Sequence, residues 1–285
     1  MRCVPEPEWR ARRAAHESTV DSLLAAHLDR ARRGQAHPVE DFLFTYYSHR
    51  PARLRRWHPG VGLVLDGDAS EYAALPGYVQ TADGVTAAAR RPDTVRWVHG
   101  LLAATAGRPA QYGCFGLHEW AMVYKTAEVR HAAVPLRLGS AGTDAVVESL
   151  PVRCSHFDAF RFFTPDARSL NVLQPTRESQ SALEQPGCLH ATMDLYKWAY
   201  KLEPLTPSEL VLDCFRLAKD VRELDMRASP YDLAGHGYEP VRIETPEGRA
   251  EYAAAQRAFA DRGQALRERL VAVCETARAA DTTPA

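Results

Sequence analysis

Four short stretches of this chain carry the residue types that do chemistry. His118-Glu119 follows the glycine-bracketed run Gly113-Cys114-Phe115-Gly116. It departs from the H-E-x-x-H zinc pattern because Met122 stands where the second histidine belongs. What it offers instead is a carboxylate, Glu119, and backbone amides at the positive end of a helix, an arrangement suited to an anion. In Cys154-Ser155-His156-Phe157-Asp158, strand alternation would put His156 and Asp158 on one face. A histidine beside a carboxylate is the smallest general-base unit, because the acid fixes the tautomer and raises the ring's basicity. The loop from Asn171 to Gln180 is rich in amide and guanidinium donors, Asn171 and Arg177 among them, and suits reading a base edge or gripping a phosphate. His190 and Asp194 are four residues apart, the spacing of a helical ion pair and of two ligands to one metal ion. A third ligand would have to come from His118, Glu119, His156 or Asp158. The residues therefore leave three alternatives open: a cofactor-free site, a divalent transition metal held by His118, His156, His190 and Asp194, or buried ion pairs that only satisfy one another.

These groups are organised around Glu184 to Asp232, where ionisable side chains interrupt a stretch that otherwise reads as buried. Burying such groups is costly unless they are paired, so they mark a fixed network or a site. Within that stretch Gly187 to Trp198 is expected to form one wall of a pocket, with Gly113 to Tyr124 and Cys154 to Phe163 supplying the others.

The elements that must hold these walls are mostly helical. Glu8 to Arg33 has the helical period, with Val20, Leu23, Leu24, His27 and Leu28 on one face. Pro38 restarts the chain into a helix through Phe42, Phe44, Tyr46 and Tyr47. Asp93 to Gly107 is periodic through Val95, Val98, Leu101 and Leu102. Thr206-Pro207-Ser208-Glu209 reads as a capping box, with Thr206 as N-cap, opening a helix whose apolar stripe is Leu210, Cys214, Leu217, Val221 and Leu224. Its polar stripe, Asp213, Arg216, Asp220, Glu223 and Arg227, alternates in sign and suits surface ion pairs. Thr245-Pro246-Glu247 opens the last helix in the same way. Leu63-Val64-Leu65, Leu136 to Gly139, Ala145 to Glu148 and Pro151 to Cys154 are the strand candidates, and Gly67 to Arg91 is a loop or a small β excursion. The expected fold is mainly α with a small β element in the middle, one globular domain over residues 1–280 and a disordered tail at 281–285.

Composition narrows the classes. With 285 residues, 46% of them hydrophobic, the chain can build a real core. A net charge of -1 gives no overall pull toward nucleic acid or membrane, although Arg53, Arg55 and Arg56 form a local basic cluster. The six cysteines are scattered without a C-x-x-C pair, which argues against a zinc ribbon or a disulfide framework. No apolar run is long enough to span a bilayer, so no membrane role is expected and the expected compartment is the cytoplasm. Composition says nothing of oligomeric state.

Trp57-His58-Pro59-Gly60-Val61-Gly62 is similar to the hairpin of helix-hairpin-helix DNA-binding modules, though Leu63 to Asp68 reads as strand and turn where that motif has its second helix. Taken together, VEDFLFTYYSHRPARLRRWHPG, QYGCFGLHEWAMVY, RCSHFDAFRFFTP, EQPGCLHATMDLYKWAYKL and RELDMRASPYDL resemble an actinobacterial family labelled 3-methyladenine DNA glycosylase. The resemblance implies hydrolysis of the N-glycosidic bond of an alkylated base, with damaged DNA as partner and no cofactor. Such chemistry passes through an oxocarbenium-like sugar and needs a carboxylate beside it and an aromatic pocket for the extruded base. Asp158 or Glu119 would be that carboxylate and His156 would assist the water. Trp120, Phe160 and Trp198, with Asn171 and Arg177, would bind the base, and Arg53, Arg55 and Arg56 would hold phosphates. The alternatives are a metal-dependent enzyme acting on a small molecule and a non-enzymatic binding protein.

Overall fold

The computed structural model describes residues 1–126 and 133–281. The protein is mainly α-helical with a small four-stranded sheet. Residues 282–285, most of the expected tail, lie outside the described residues, and the last helix runs to Asp281. Among the described residues no helix is long and apolar enough to cross a membrane. The chain divides into two compact units, each assembled from separated segments.

The first unit comprises Met1–Ala103, Leu195–Arg216 and Ala265–Ala285. Its sheet has the order β1-β2-β4-β3, from β1 (Arg2–Val4), β2 (Leu63–Leu65), β3 (Tyr78–Thr81) and β4 (Gly84–Ala87). β1 runs parallel to β2 with Cys3 opposite Val64, and the other pairings are antiparallel. The excursion expected at Gly67 to Arg91 is thus the β3-β4 hairpin. Gly84 is required there, because a Cβ would meet the Leu65 carbonyl oxygen at 2.2 Å. Helix Glu6–Arg32 buries Trp9, His16, Val20 and Leu24, the inward residues of a helical repeat. Its acidic first turn and basic last turn complement the helix dipole. Trp9 and Trp57 are fully buried, and their indole N–H groups donate to the Asp66 carbonyl and the Glu209 carboxylate.

The second unit comprises Ala104–Asp194 and Leu217–Gln264. The strands expected at Leu136 to Gly139 and Pro151 to Cys154 reduce to isolated bridges, Leu136 with Tyr231 and Val152 with Asn171, and two further expectations fail for local reasons. Ala145 to Glu148 is not a strand but lies within helix Gly139–Ser149. Its buried residues Thr143, Val146 and Val147 follow the i, i+3, i+4 rule of a helix rather than the alternation of a strand. Cys154 to Phe163 is not extended either. His156 is the N-cap of a one-turn helix, Phe157–Phe160, and Phe160 N–H donates to the His156 carbonyl. Helical geometry therefore sends His156 and Asp158 to different partners.

Among the long helices, Ser208–Arg227 begins later than the capping box requires. The Glu209 carboxylate binds Arg12 and Trp57, so long-range pairing takes the place of the reciprocal half of the capping box. The expected surface ion pairs of this helix do form, with Arg269–Asp213 and Arg262–Asp220 at 2.8 and 2.7 Å. Helix Pro246–Asp281 starts as expected, with Thr245 Oγ1 accepting the Gly248 N–H at 3.1 Å.

Candidate active site

The second unit encloses a cavity of about 390 Å³. All three expected walls line it, through Gly113, Cys114 and His118, through Arg153, Cys154 and Ser155, and through Cys188, Leu189 and His190, with Tyr252 and Gln256 closing it from the last helix. Two close approaches shape it. A Cβ on Gly187 would lie 2.5 Å from the Gln111 carbonyl, and the Gln185 amide staples that contact by accepting from the N–H groups of Gln111 and Gly187. After Cys114, Phe115 and Gly116 both take left-handed φ, 49° and 74°. For a phenylalanine this conformation is strained, and it turns the chain sharply between Cys114 and helix Leu117–Ala121.

That turn folds Cys114 back onto His118. Its sulfur lies 3.6 Å from His118 Nδ1, while His118 Nε2 lies 2.7 Å from Asp225 Oδ1. Asp225 belongs to helix Ser208–Arg227, where Arg222 lies 3.2 Å from Asp225 and 3.0 Å from Glu119. His118, Glu119, Arg222 and Asp225 are all buried, and two cationic and two anionic side chains balance. Burial opposes a charge on His118, but the Asp225 carboxylate overrides it and holds the ring well above the ordinary histidine range. Burial likewise pushes Asp225 up, and His118 with Arg222 pulls it well below the usual carboxylate range. Burial raises Glu119 despite Arg222. His190, buried with its ring 4.4 Å from that of His118, is held well below the ordinary range, first by burial and then by the charge on His118.

Three thiols line the cavity, and their surroundings differ. Burial pushes Cys154 and Cys188 upward, and Cys154 Sγ donates to the His156 carbonyl at 3.5 Å. Cys114 is half-buried and has a ring nitrogen beside its sulfur.

A second polar cluster lies close by. His156 Nε2 is 3.4 Å from both Glu184 Oε1 and Asp194 Oδ2, and all three side chains are at least 97% buried. The His156 ring stacks on His190 with centroids 5.3 Å apart. The four histidine and aspartate residues expected as metal ligands therefore do gather, but as two adjacent groups: His118 and His190 with Asp225, and His156 and Asp194 with Glu184.

Other expected site residues are engaged elsewhere. Asp158 pairs with Arg161 and Arg177, each at 3.3 Å, so it does not share a face with His156. Glu119 is held by Arg222. The Trp120 N–H donates to the Ala228 carbonyl, Phe160 packs on Phe163, and the Asn171 amide is bound to both backbone groups of Cys154. None of these lines the 390 Å³ cavity. Trp198 belongs to the first unit, where it packs on Trp97 with Lys197 and Lys201 over its ring. In the same unit Arg53 lines a cavity of about 340 Å³ with Arg90, Arg91 and Lys201. Arg55 is instead paired with Asp21 and Glu17, and Arg56 lines a different hollow beside Glu17 and Glu71. The three arginines thus do not form one phosphate-holding row.

Cys114, Glu184, Arg222 and Asp225 escaped the sequence reading. A signal existed for two of them: Arg222 and Asp225 lie four and seven residues after Ala218, on the apolar side of their helix. No protein-family model, curated protein or solved structure matches this chain.

Proposed function

We propose that the chain is a cysteine-nucleophile enzyme that transfers or hydrolyses an acyl group of a small molecule. The observation that carries this reading is the hydrogen-bonded series Cys114, His118, Asp225, with the sulfur at the cavity wall. Nucleophile, base and orienting acid stand in the order that acyl transfer requires. Asp225 accepts Nε2–H and leaves Nδ1 facing the sulfur. Asp225 holds His118 as the imidazolium, with Nδ1–H facing the sulfur, and the sulfur attacks a carbonyl carbon as the thiolate. The imidazolium then protonates the leaving group, and water or a second nucleophile releases the acyl group from Cys114. Arg153, exposed at the cavity, is suited to an anionic group on the substrate. A metal at His118, His190 and Asp225 would have to displace the 2.7 Å bond between His118 and Asp225, which weighs against that use of the trio.

With p-nitrophenyl acetate as probe, a burst of about one nitrophenolate per chain is expected, with the acetyl group mapping to Cys114 by mass spectrometry. Cys114→Ser should abolish the burst. No acylation at Cys114 would reject the thiol mechanism.

One observation favours a second reading, the DNA glycosylase activity that the resemblance implies. The cations Arg53, Arg90, Arg91 and Lys201 around one cavity suit a phosphate backbone. Release of free base from methylated duplex DNA tests it. No release, together with no salt-sensitive binding, rejects it.

A further inference from the structure

We infer that His156, Glu184 and Asp194 form a buried binding site for one divalent transition-metal ion, separate from Cys114 and its partners. Three segments bring the donors together: the N-cap before helix Phe157–Phe160, the residue after helix Gln180–Leu183, and helix Leu189–Lys201. The ligand atoms all lie within 4.8 Å of one another. The two contacts of His156, both 3.4 Å, are long for an N–H to oxygen hydrogen bond. They match a coordination sphere instead, since bonds of about 2.1 Å at tetrahedral angles put neighbouring ligand atoms about 3.4 Å apart. The His118–Asp225 distance of 2.7 Å is that of a hydrogen bond, which is why the ion is assigned to one group and not the other.

The donor set defines the cation. One imidazole with two carboxylates suits zinc, manganese or iron, whereas calcium and magnesium favour all-oxygen shells. Glu184 carries an outer partner of the kind that orients ligands, the Gln180 amide, which donates to Oε1 at 2.6 Å. The side chains are 0%, 3% and 1% exposed, so the site is buried, and three protein donors leave one coordination position for a small ligand such as water. Its role follows from the neighbour of His156: the stacked ring of His190 lines the cavity, so the ion would brace that wall.

The experiment uses full-length protein purified without a histidine tag, stripped with chelator and incubated with Zn²⁺ or Mn²⁺ alone. Elemental analysis after desalting should find about one ion per chain, and the metal should raise the thermal midpoint by several degrees. Glu184→Gln and Asp194→Asn should each lose the ion, while Cys114→Ser and Asp225→Asn keep it. A cobalt-loaded sample reports the site independently of activity, and its visible absorption should vanish in Asp194→Asn. Wild-type protein that takes up neither ion would overturn the assignment. So would retention by both carboxylate variants, or loss confined to Asp225→Asn. Should the carboxylate variants fail to fold, wild-type uptake together with the cobalt spectrum decides. Because Cys114→Ser separates the two sites, failure of the thiol mechanism leaves this result standing, and the reverse holds too.

Discussion

Asp225→Asn is expected to slow acylation at Cys114 by about 10²- to 10⁴-fold, the range seen when the acid of a nucleophile–base–acid series is made neutral. Asp225 is a positioning residue, and its effect travels through His118, whose Nε2 it holds at 2.7 Å. An asparagine can keep a hydrogen bond there, but it removes the charge that stabilises the imidazolium. A purely structural role would lower the amount of folded protein without moving its pH profile. The expected result is a shifted profile, because His118 loses the carboxylate that holds it above the ordinary range.

Stability should follow the same pair. A histidine raised by folding contributes stability that is complete below its unfolded value and is lost as pH rises through the folded value. Asp225, lowered by folding, contributes stability above its unfolded value that is lost as pH falls through the folded one. The wild-type advantage over Asp225→Asn in urea midpoint should therefore be largest between the two unfolded values, about pH 4 to 6.5. On the alkaline side it should shrink progressively above the unfolded histidine value and be gone once His118 titrates in the folded protein. A midpoint difference that is flat across this range and beyond would show that the pair does not titrate as described.

Arg222→Leu should be strongly destabilising, costing about 3–5 kcal/mol at neutral pH. Arg222 is 1% exposed and bridges Glu119 and Asp225, so its loss leaves two buried carboxylates facing one histidine. Leucine fills most of the volume, and the cost is therefore electrostatic rather than a cavity. Burial already raises Glu119 despite the guanidinium. Without it Glu119 will take up a proton more readily, so the cost should fall as pH is lowered toward 5. Urea unfolding at neutral and acid pH measures both effects, and the double variant with Glu119→Gln should recover part of the loss. Additive effects of the two substitutions would mean that the residues are not coupled.

The contrast between what was legible and what was not can be followed residue by residue. Helices Glu6–Arg32, Pro92–Ala106 and Pro246–Asp281 were readable because each carries its own signal: a 3.6-residue apolar period, charged first and last turns, or a threonine–proline start. The three walls of the cavity were readable because ionisable residues in apolar surroundings mark themselves. Short segments were not. Phe157–Phe160 has too few residues for a period to choose between helix and strand, and in Gly139–Ser149 the apolar run Ala145-Val146-Val147 masked a period that the buried residues reveal. The pairing of side chains was still less accessible. The spacing of His190 and Asp194 suggested a common partner, and both do meet His156, but His190 also packs its ring against His118 and so joins the two groups. Sequence by itself determined which segments carry polar side chains into the core. Only the tertiary structure decided that Asp225 reaches His118 from 107 positions away and that Glu184 joins His156, because electrostatic pairing depends on distance in space and the chain records only distance along itself.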